Sequence, residues 1–195
     1  MKSSDRGGTA WYETITLGYS DSEDRMWIRL TRRDSEAMLW VTRRLVAGLL
    51  PAAFKVLVRN APLDDSQQAA GGGDAVPTAN ESMARSVSRH REIVKAAAAQ
   101  KPTPAPARPS ADKPAIQLGM LSTIDIKTHR DGIALVFRGS GDPVGFRCGR
   151  DQAHRLLQAF WDRQKGVGWG IPQPWEIAAP ADTPPMTAQP DAEPD

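Results

Sequence analysis

The chain has 195 residues, of which 40% are hydrophobic and 25% charged, and its formal net charge is +2. One cysteine, Cys148, excludes an intramolecular disulfide, a multi-cysteine zinc site and an iron–sulfur cluster. The first ten residues lack the apolar stretch of a secretory signal, and Pro51 and Lys55 interrupt the longest apolar run, so we expect no membrane insertion and a cytoplasmic location.

Prolines divide the chain into foldable and unfoldable stretches. Seven of the 16 lie between Pro62 and Pro114, and seven more lie between Pro172 and Pro194. We therefore predict a folded half at 9–60, a Pro/Gly/Ala-rich insert at 61–117, a second folded half at 117–177 and a disordered acidic tail at 178–195.

The first half has the pattern of three strands followed by one helix. Apolar and polar residues alternate over 11–19, 26–32 and 37–42, which is typical of strands with one buried face. Thr42 suits a helix N-cap, and apolar residues recur at helical spacing from Leu45 to Leu57. Pro51 is expected to kink or split this helix because it removes a backbone donor.

A short helix is predicted within the insert, over 81–100. Met83, Val87, His90, Val94 and Ala97 follow one another at spacings of four, three, four and three residues. This apolar stripe is thin, so the helix is expected to become ordered only against a partner or against the protein's own core.

The second half repeats the pattern of the first. Strands are predicted over 120–128, 133–138 and 144–148, and the pair Asp131 and Gly132 is typical of a tight hairpin turn. Asp151 suits the N-cap of a helix that ends near Gly166.

The two halves align without a gap at a shift of 107 residues. The identical pairs are Arg43 with Arg150, Leu49 with Leu156, Leu50 with Leu157 and Ala52 with Ala159. Three strands and one helix bury too little surface to be stable alone. We therefore predict an α+β fold in which duplicated, pseudo-twofold β-β-β-α units form one antiparallel-sheet domain with two main helices, while the insert loops out.

No constellation of catalytic or metal-binding residues is visible. His90, His129 and His154 lack metal-ligand spacing, and we expect His129 in a turn and His154 exposed on its helix. Cys148 is expected in the core, with a reactive thiol as the alternative. Phosphate-loop, nucleophile-elbow and paired-carboxylate motifs are absent, so we predict no enzyme activity, no metal and no cofactor.

Tryptophan and arginine residues form the most distinctive pattern. Trp27 and Trp40 alternate with apolar residues, which predicts that both project from the sheet face opposite the core. Residues 25–60 also carry eight basic and two acidic side chains. The predicted binding residues are Trp27, Arg29, Trp40, Arg25, Arg43, Arg44, Trp169 and Trp175. Three interpretations of the sheet tryptophans stay open: a protein interface, a nucleic-acid platform, or plain core.

Residues 167–176 are too apolar for a free tail, because Trp169, Ile171 and Trp175 lie among prolines that favour an extended backbone. We expect this segment to cover the edge of the core or to dock onto a partner.

Two β-rich repeats, each ending in a helix, are similar in outline to the Whirly- and PUR-type single-strand nucleic-acid binders. Those proteins have four strands in each repeat, whereas this sequence predicts three, and the resemblance covers topology alone. We expect a non-enzymatic interaction or assembly protein with a protein partner or a second copy as its target. The alternative is single-stranded nucleic-acid binding through the aromatic and basic sheet face.

Overall fold

The structure is a computed structural model, which describes residues 8–60, 78–99, 115–129 and 131–176, with only the backbone for 115–118. Residues 61–77 and 100–114 of the predicted Pro/Gly/Ala-rich insert and the tail expected to be disordered at 178–195 lie outside the described residues.

Each half contains four strands followed by a helix. The first half consists of β1 (Ala10–Tyr12), β2 (Thr14–Ser20), β3 (Arg25–Arg32), β4 (Ser35–Val41) and α1 (Arg43–Arg59). The insert contributes α2 (Ala79–Ala99). The second half consists of β5 (Ala115–Met120), β6 (Thr123–His129), β7 (Gly132–Arg138), β8 (Val144–Gly149) and α3 (Arg150–Gly166). The α+β class is confirmed.

The strands form two sheets, and each half supplies the first strand of the other half's sheet. Sheet I has the order β2-β3-β4-β5, and sheet II has the order β1-β8-β7-β6. The contributed strands β1 and β5 run parallel to β8 and β4, while the other neighbours are antiparallel. The halves are therefore interlocked rather than placed side by side.

The expected number of three strands in each half was wrong, and so was the expectation of one antiparallel sheet. The alternating pattern of 11–19 contains a break at Glu13, where the chain leaves sheet II and enters sheet I. The same crossover separates β5 from β6 at Leu121 and Ser122. Apolar and polar residues alternate on both sides of such a crossover, so the sequence pattern does not show where the chain changes sheets.

The spacing of 107 residues is visible in the structure. Helices α1 and α3 both have 17 residues and begin at Arg43 and Arg150. The facing pair Trp27 and Trp40 in sheet I corresponds at this shift to the facing pair Ala134 and Arg147 in sheet II. The halves thus share element order and the register of the β3–β4 and β7–β8 pairs, while an ancestral duplication stays a prediction.

A single hydrophobic core joins the halves. Leu49 of α1 and Leu156 of α3 belong to the same cluster of buried side chains. Residues Met26, Ile28 and Leu30 of β3 are fully buried beneath sheet I. The expected shared core is therefore present.

Helix α1 continues through Pro51, although the sequence predicted a kink or a split there. The Thr42 hydroxyl accepts a hydrogen bond from the Leu45 amide at 3.4 Å, which caps the first turn. Because proline has no amide hydrogen, the Ala47 carbonyl lacks the donor that residue 51 would otherwise supply. Ala47 and Pro51 are both exposed. Water is thus available to that carbonyl, so the lost bond does not end the helix.

Helix α2 docks on the protein's own core, against α1 and α3. Its buried side chains are those of Ser86, Val87, His90 and Ile93. At its start, the Thr78 amide donates to the Glu81 carboxylate at 2.8 Å, and the Glu81 amide donates to the Thr78 hydroxyl at 3.3 Å. This capping box holds the pKa of Glu81 below its usual value. None of the helices in the described ranges has the length and apolar character needed to cross a bilayer.

Residues 167–176, here named the C-terminal strap, cover the edge of the core. Trp169 and Trp175 are 8% and 4% exposed. The Gln164 side chain holds the strap by donating to the Ile171 carbonyl at 3.1 Å and accepting from the Ile171 amide at 2.9 Å. Of the two expectations for this segment, the covering role is the one that the structure shows.

Candidate interaction surface

Four residues form a row across the outer face of sheet I. The strand register places Gly18 beside Trp27, Trp27 beside Trp40, and Trp40 beside Met120. We name these four residues the tryptophan row. Their neighbours Ile28 and Leu39 are fully buried on the opposite face, so the row projects away from the core.

The tryptophan row reaches solvent at one end of the sheet. Trp27 and Trp40 are partly exposed, and Met120 is 37% exposed, which is unusual for a large apolar side chain in the described part of this chain. The Trp27 ring lies over Gly18 so closely that a Cβ atom at residue 18 would overlap it. The glycine therefore allows the indole to lie on the sheet surface, and the sequence pattern gave no weight to Gly18 or Met120.

The sequence predicted that Arg29 lies on an exposed aromatic and basic surface, and this prediction was wrong. Arg29 shares the outer face of sheet I, but it is only 6% exposed, and Glu36 on the same face is also 6% exposed. Both residues lie on the central strands, where the surrounding side chains of the outer face cover them.

Arg25, Arg43 and Arg44 are exposed near the same end of sheet I as the tryptophan row. Arg25 precedes the pair Met26 and Val41, and α1 begins two residues after Val41. The β2–β3 turn at this end carries three exposed acidic residues, Asp21, Glu23 and Asp24. Glu23 lies 3.6 Å from Arg25. This end of the sheet therefore carries three arginines and three carboxylates, of which Arg25 and Glu23 form an ion pair.

Trp169 and Trp175 are placed away from this surface, within the core. Trp175 stacks on His90 with ring centroids 3.9 Å apart, and Trp169 meets the ring of Tyr19 edge-on. The structure thus brings together only part of the predicted binding set.

The outer face of sheet II has a different composition. Trp11 lies over Gly145, and the Arg147 guanidinium stands 3.8 Å from the centre of the Trp11 ring. Arg138 of β7 and Asp125 of the edge strand β6 form an ion pair at 2.7 Å. The Arg147 guanidinium therefore covers one face of the Trp11 ring, although Trp11, like Trp27 and Trp40, is partly exposed.

His90 and His154 form a buried pair at the junction of α2 and α3. Their Nδ1 atoms are 3.2 Å apart, and the side chains are 1% and 0% exposed. His90 Nε2 lies 3.2 Å from the Gln158 Oε1 atom, and the Gln158 amide donates to Asp162 at 2.8 Å. His154 was expected on the surface; it is buried because α2 packs on α3, and the periodicity of α3 alone does not indicate this.

The hydrogen bonds fix the tautomers of this pair. Since the Gln158 oxygen accepts, His90 carries its proton on Nε2, and its Nδ1 accepts from the Nδ1–H of His154. His154 Nε2 is left as a buried acceptor without a partner in the structure. Burial, with the nearby His90 and Arg150, lowers the pKa of His154 to about 3, and burial also lowers the pKa of His90.

Cys148 is 7% exposed, and burial raises the pKa of its thiol to about 11. The expectation of a core cysteine is confirmed, since a thiol with this pKa carries little thiolate at neutral pH. Across the described residues, no three His, Cys, Asp or Glu side chains are grouped in a way that could hold a metal ion.

Comparison of the chain with protein-family models, with curated proteins and with solved structures gives no significant match.

Proposed function

We propose that this chain is a non-enzymatic interaction or assembly protein that binds a protein partner through the tryptophan row. The observation that carries the proposal is the alignment of partly exposed Trp27, Trp40 and Met120 on one sheet face. Tryptophan and methionine are enriched in the centres of protein interfaces, where charged residues are depleted. The row has this composition.

The position of the row also supports a protein partner. The row crosses all four strands of sheet I, so its side chains are held by a hydrogen-bonded backbone. A rigid apolar surface loses little conformational entropy on binding, which favours affinity. Its exposed end is bordered by Arg25, Arg43 and Arg44 together with an acidic turn, which is the mixed polar rim expected around an interface.

The absence of enzyme activity and a cytoplasmic location belong to the same proposal. Burial of His90, His154 and Cys148 supports it, because these side chains are the usual acids, bases and nucleophiles and none of the three reaches solvent here.

Single-stranded nucleic-acid binding is the second candidate. It is favoured by the four strands in each half, as in the Whirly- and PUR-type outline, and by a partly exposed tryptophan pair on which bases could stack. The charge of the site argues for a protein instead. The end of the sheet that carries Arg25, Arg43 and Arg44 also carries three carboxylates and so has no local excess of positive charge, whereas a strand of phosphates requires an excess of cations.

The test replaces Trp40 by arginine, the residue found at the corresponding position of sheet II. Wild-type and Trp40→Arg chains serve as baits in quantitative affinity purification, and a partner enriched by the wild type is then titrated calorimetrically. We expect Trp40→Arg to weaken binding about 30-fold, the effect of losing one hot-spot residue. Thr123→Arg, on the outer face of sheet II, is the matched control and should bind like the wild type.

A titration with a single-stranded oligonucleotide separates the two candidates. Quenching of tryptophan fluorescence that weakens steeply with salt and is lost in Arg43→Ala/Arg44→Ala would establish the second candidate over the first. A chain that enriches no protein through Trp40 and binds no oligonucleotide would contradict both.

A further inference from the structure

The outer edge of β2 is open in a way that the other sheet edges are not. Strand β2 forms one edge of sheet I, and within the described residues its free side receives no backbone hydrogen bond from another strand or loop. Its sequence, Thr-Ile-Thr-Leu-Gly-Tyr-Ser, contains no charged residue and no proline over seven positions. Natural sheets usually protect a long edge with such residues, because an unprotected edge pairs with another strand.

The other edges carry features that oppose pairing. In sheet II, β6 has Asp125 and Lys127, and β1 has only three residues. In sheet I, β5 contains Gly119 with a φ angle of +60°, at a register irregularity beside Met38 and Leu39. Strand β2 is therefore the long, regular and uncharged edge of this fold.

The core beneath β2 is also incompletely covered. Ile15, Leu17 and Tyr19 face the core side and are partly exposed. Their register partners on β3, namely Leu30, Ile28 and Met26, are fully buried. The apolar layer under sheet I thus remains accessible to solvent at the β2 edge, although Trp169 covers one side of Tyr19.

We infer that β2 pairs antiparallel with β2 of a second copy of this chain, which joins the two copies of sheet I into one continuous sheet. Each copy then covers the partly exposed Ile15 and Leu17 of the other, and the unpaired backbone groups of both edges become bonded. The inference concerns the edge of sheet I rather than its outer face, so it goes beyond the proposed function and does not depend on it.

Symmetry favours this pairing over other uses of the same edge. Two β2 strands related by a twofold axis form an isologous contact, which closes after two copies. Pairing of β2 with β5 of another copy would leave a free β2 and a free β5 at the ends and would continue into an open chain of sheets. Two β2 strands can also pair without bringing like charges together, because β2 carries no charged side chain.

The experiment measures the mass of the full chain by light scattering over a range of concentrations. We expect the wild type to have twice the chain mass, and Thr16→Lys and Thr16→Glu to have the mass of one chain. Residue 16 of both copies lies near the twofold axis, so either sign of charge is repelled there. Thr16→Glu faces Arg29 across the strand pair, so the monomer keeps its fold. Thr123→Lys and Thr123→Glu on the β6 edge are the matched controls and should remain dimeric.

A cross-linking measurement locates the contact independently. In a Cys148→Ser background, a short bismaleimide should link Thr16→Cys chains into dimers and leave Thr123→Cys chains unlinked. A wild-type chain that stays monomeric at all concentrations overturns the inference. A dimer that survives both Thr16 substitutions, or that cross-links through residue 123, also overturns it by placing the contact elsewhere, and masses that grow beyond two chains point to β2–β5 pairing instead. None of these results affects partner binding by Trp40, which the earlier titration measures separately.

Discussion

The two halves have similar apolar residues on the inward faces of their sheets but different residues on the outward faces. At the shift of 107 residues, the inward pairs are Ile28 with Leu135, Leu30 with Phe137, Leu39 with Phe146 and Val41 with Cys148. The outward pairs are Trp27 with Ala134, Arg29 with Val136, Met38 with Gly145 and Trp40 with Arg147. The common core restricts the first set to buried apolar side chains, whereas the second set is free to differ. The comparison therefore locates the candidate interaction surface on sheet I.

The helix starts differ as well, although both carry arginine. Arg150 at the start of α3 donates to the backbone carbonyls of Leu57 and Asn60, which end α1. Arg43 at the corresponding position of α1 is exposed, and its side chain forms no hydrogen bond or ion pair with another of the described residues. Equivalent residues can thus hold the halves together on one side and remain available to a partner on the other.

The largest expected effect comes from the equivalent aromatic positions of the two helices. Phe54 is 2% exposed and lies between the rings of His90, His154 and Trp175, so Phe54→Ala should lower the free energy of unfolding by about 3–5 kcal/mol. Its counterpart Trp161 is only partly buried, so Trp161→Ala should lower the free energy of unfolding by a smaller amount. Chemical denaturation of both variants checks this, and equal losses would contradict the asymmetry of the two helices.

The next effect should appear on acidification, through the histidine pair that fixes α2 to the second half. Above pH 6.5 both histidines are neutral in the folded and unfolded states, so stability is at its full value. As the pH falls below 6.5, the unfolded chain binds protons that the folded chain resists, because burial lowers both pKa values and brings that of His154 to about 3. The free energy of unfolding should fall by up to about 1.4 kcal/mol per pH unit for each histidine.

Denaturation at a series of pH values measures this loss. His154→Phe should flatten the dependence between pH 6.5 and 4.5, whereas His129→Gln on the exposed end of β6 should leave it unchanged. Fluorescence of Trp175, which stacks on His90, should report the release of α2. Because His90 remains in His154→Phe, part of the dependence should persist, and a dependence as steep as that of the wild type would assign the acid sensitivity to other groups.

The two helix-start arginines give a smaller and more specific contrast. Arg150→Ala should lower the free energy of unfolding by about 2 kcal/mol, because the terminal carbonyls of α1 lose charged donors. Arg43→Ala should change it by less than about 0.5 kcal/mol, as expected for an exposed side chain. Thermal denaturation of the two variants side by side is sufficient, and similar losses would show that Arg43 also has a structural contact.

The smallest effect concerns the covered tryptophan of sheet II. Arg147→Ala removes the guanidinium that lies 3.8 Å from the centre of the Trp11 ring. This substitution should lower the free energy of unfolding by about 0.5–1 kcal/mol. It should also increase quenching of Trp11 fluorescence by iodide. Binding of the Trp40-dependent partner to sheet II of the Arg147→Ala variant would show that this one arginine accounts for the difference between the two outer faces.

Much of the fold was accessible from local patterns. Helix α1 and its Thr42 cap, the α3 helix, a hairpin between β6 and β7 and the shared core follow from periodicity and local chemistry. The prediction of an Asp131–Gly132 turn was wrong, because Gly132 belongs to β7, pairs with His129 and has no positive φ angle. The crossover at Glu13 was not accessible, because the residue that changes sheets carries no glycine or proline signal.

The candidate site was accessible only in part. Alternation correctly placed Trp27 and Trp40 on one face, but it could not show that Arg29 is covered there. The burial of His154 depends on α2, which reaches it from 64 positions earlier in the chain. The one available signal was His90 within the apolar stripe of α2, where a buried histidine requires a polar partner.

The exchange of first strands bears on how the chain is made. Strand β1 leaves the ribosome well before its neighbour β8, which is completed only at Gly149. Sheet II cannot close during synthesis of the first half, and a chain released early would display an unfinished sheet to other nascent chains. Sheet II is therefore expected to form only after β8 has been synthesised, and chains truncated before Gly149 should depend more strongly on chaperones.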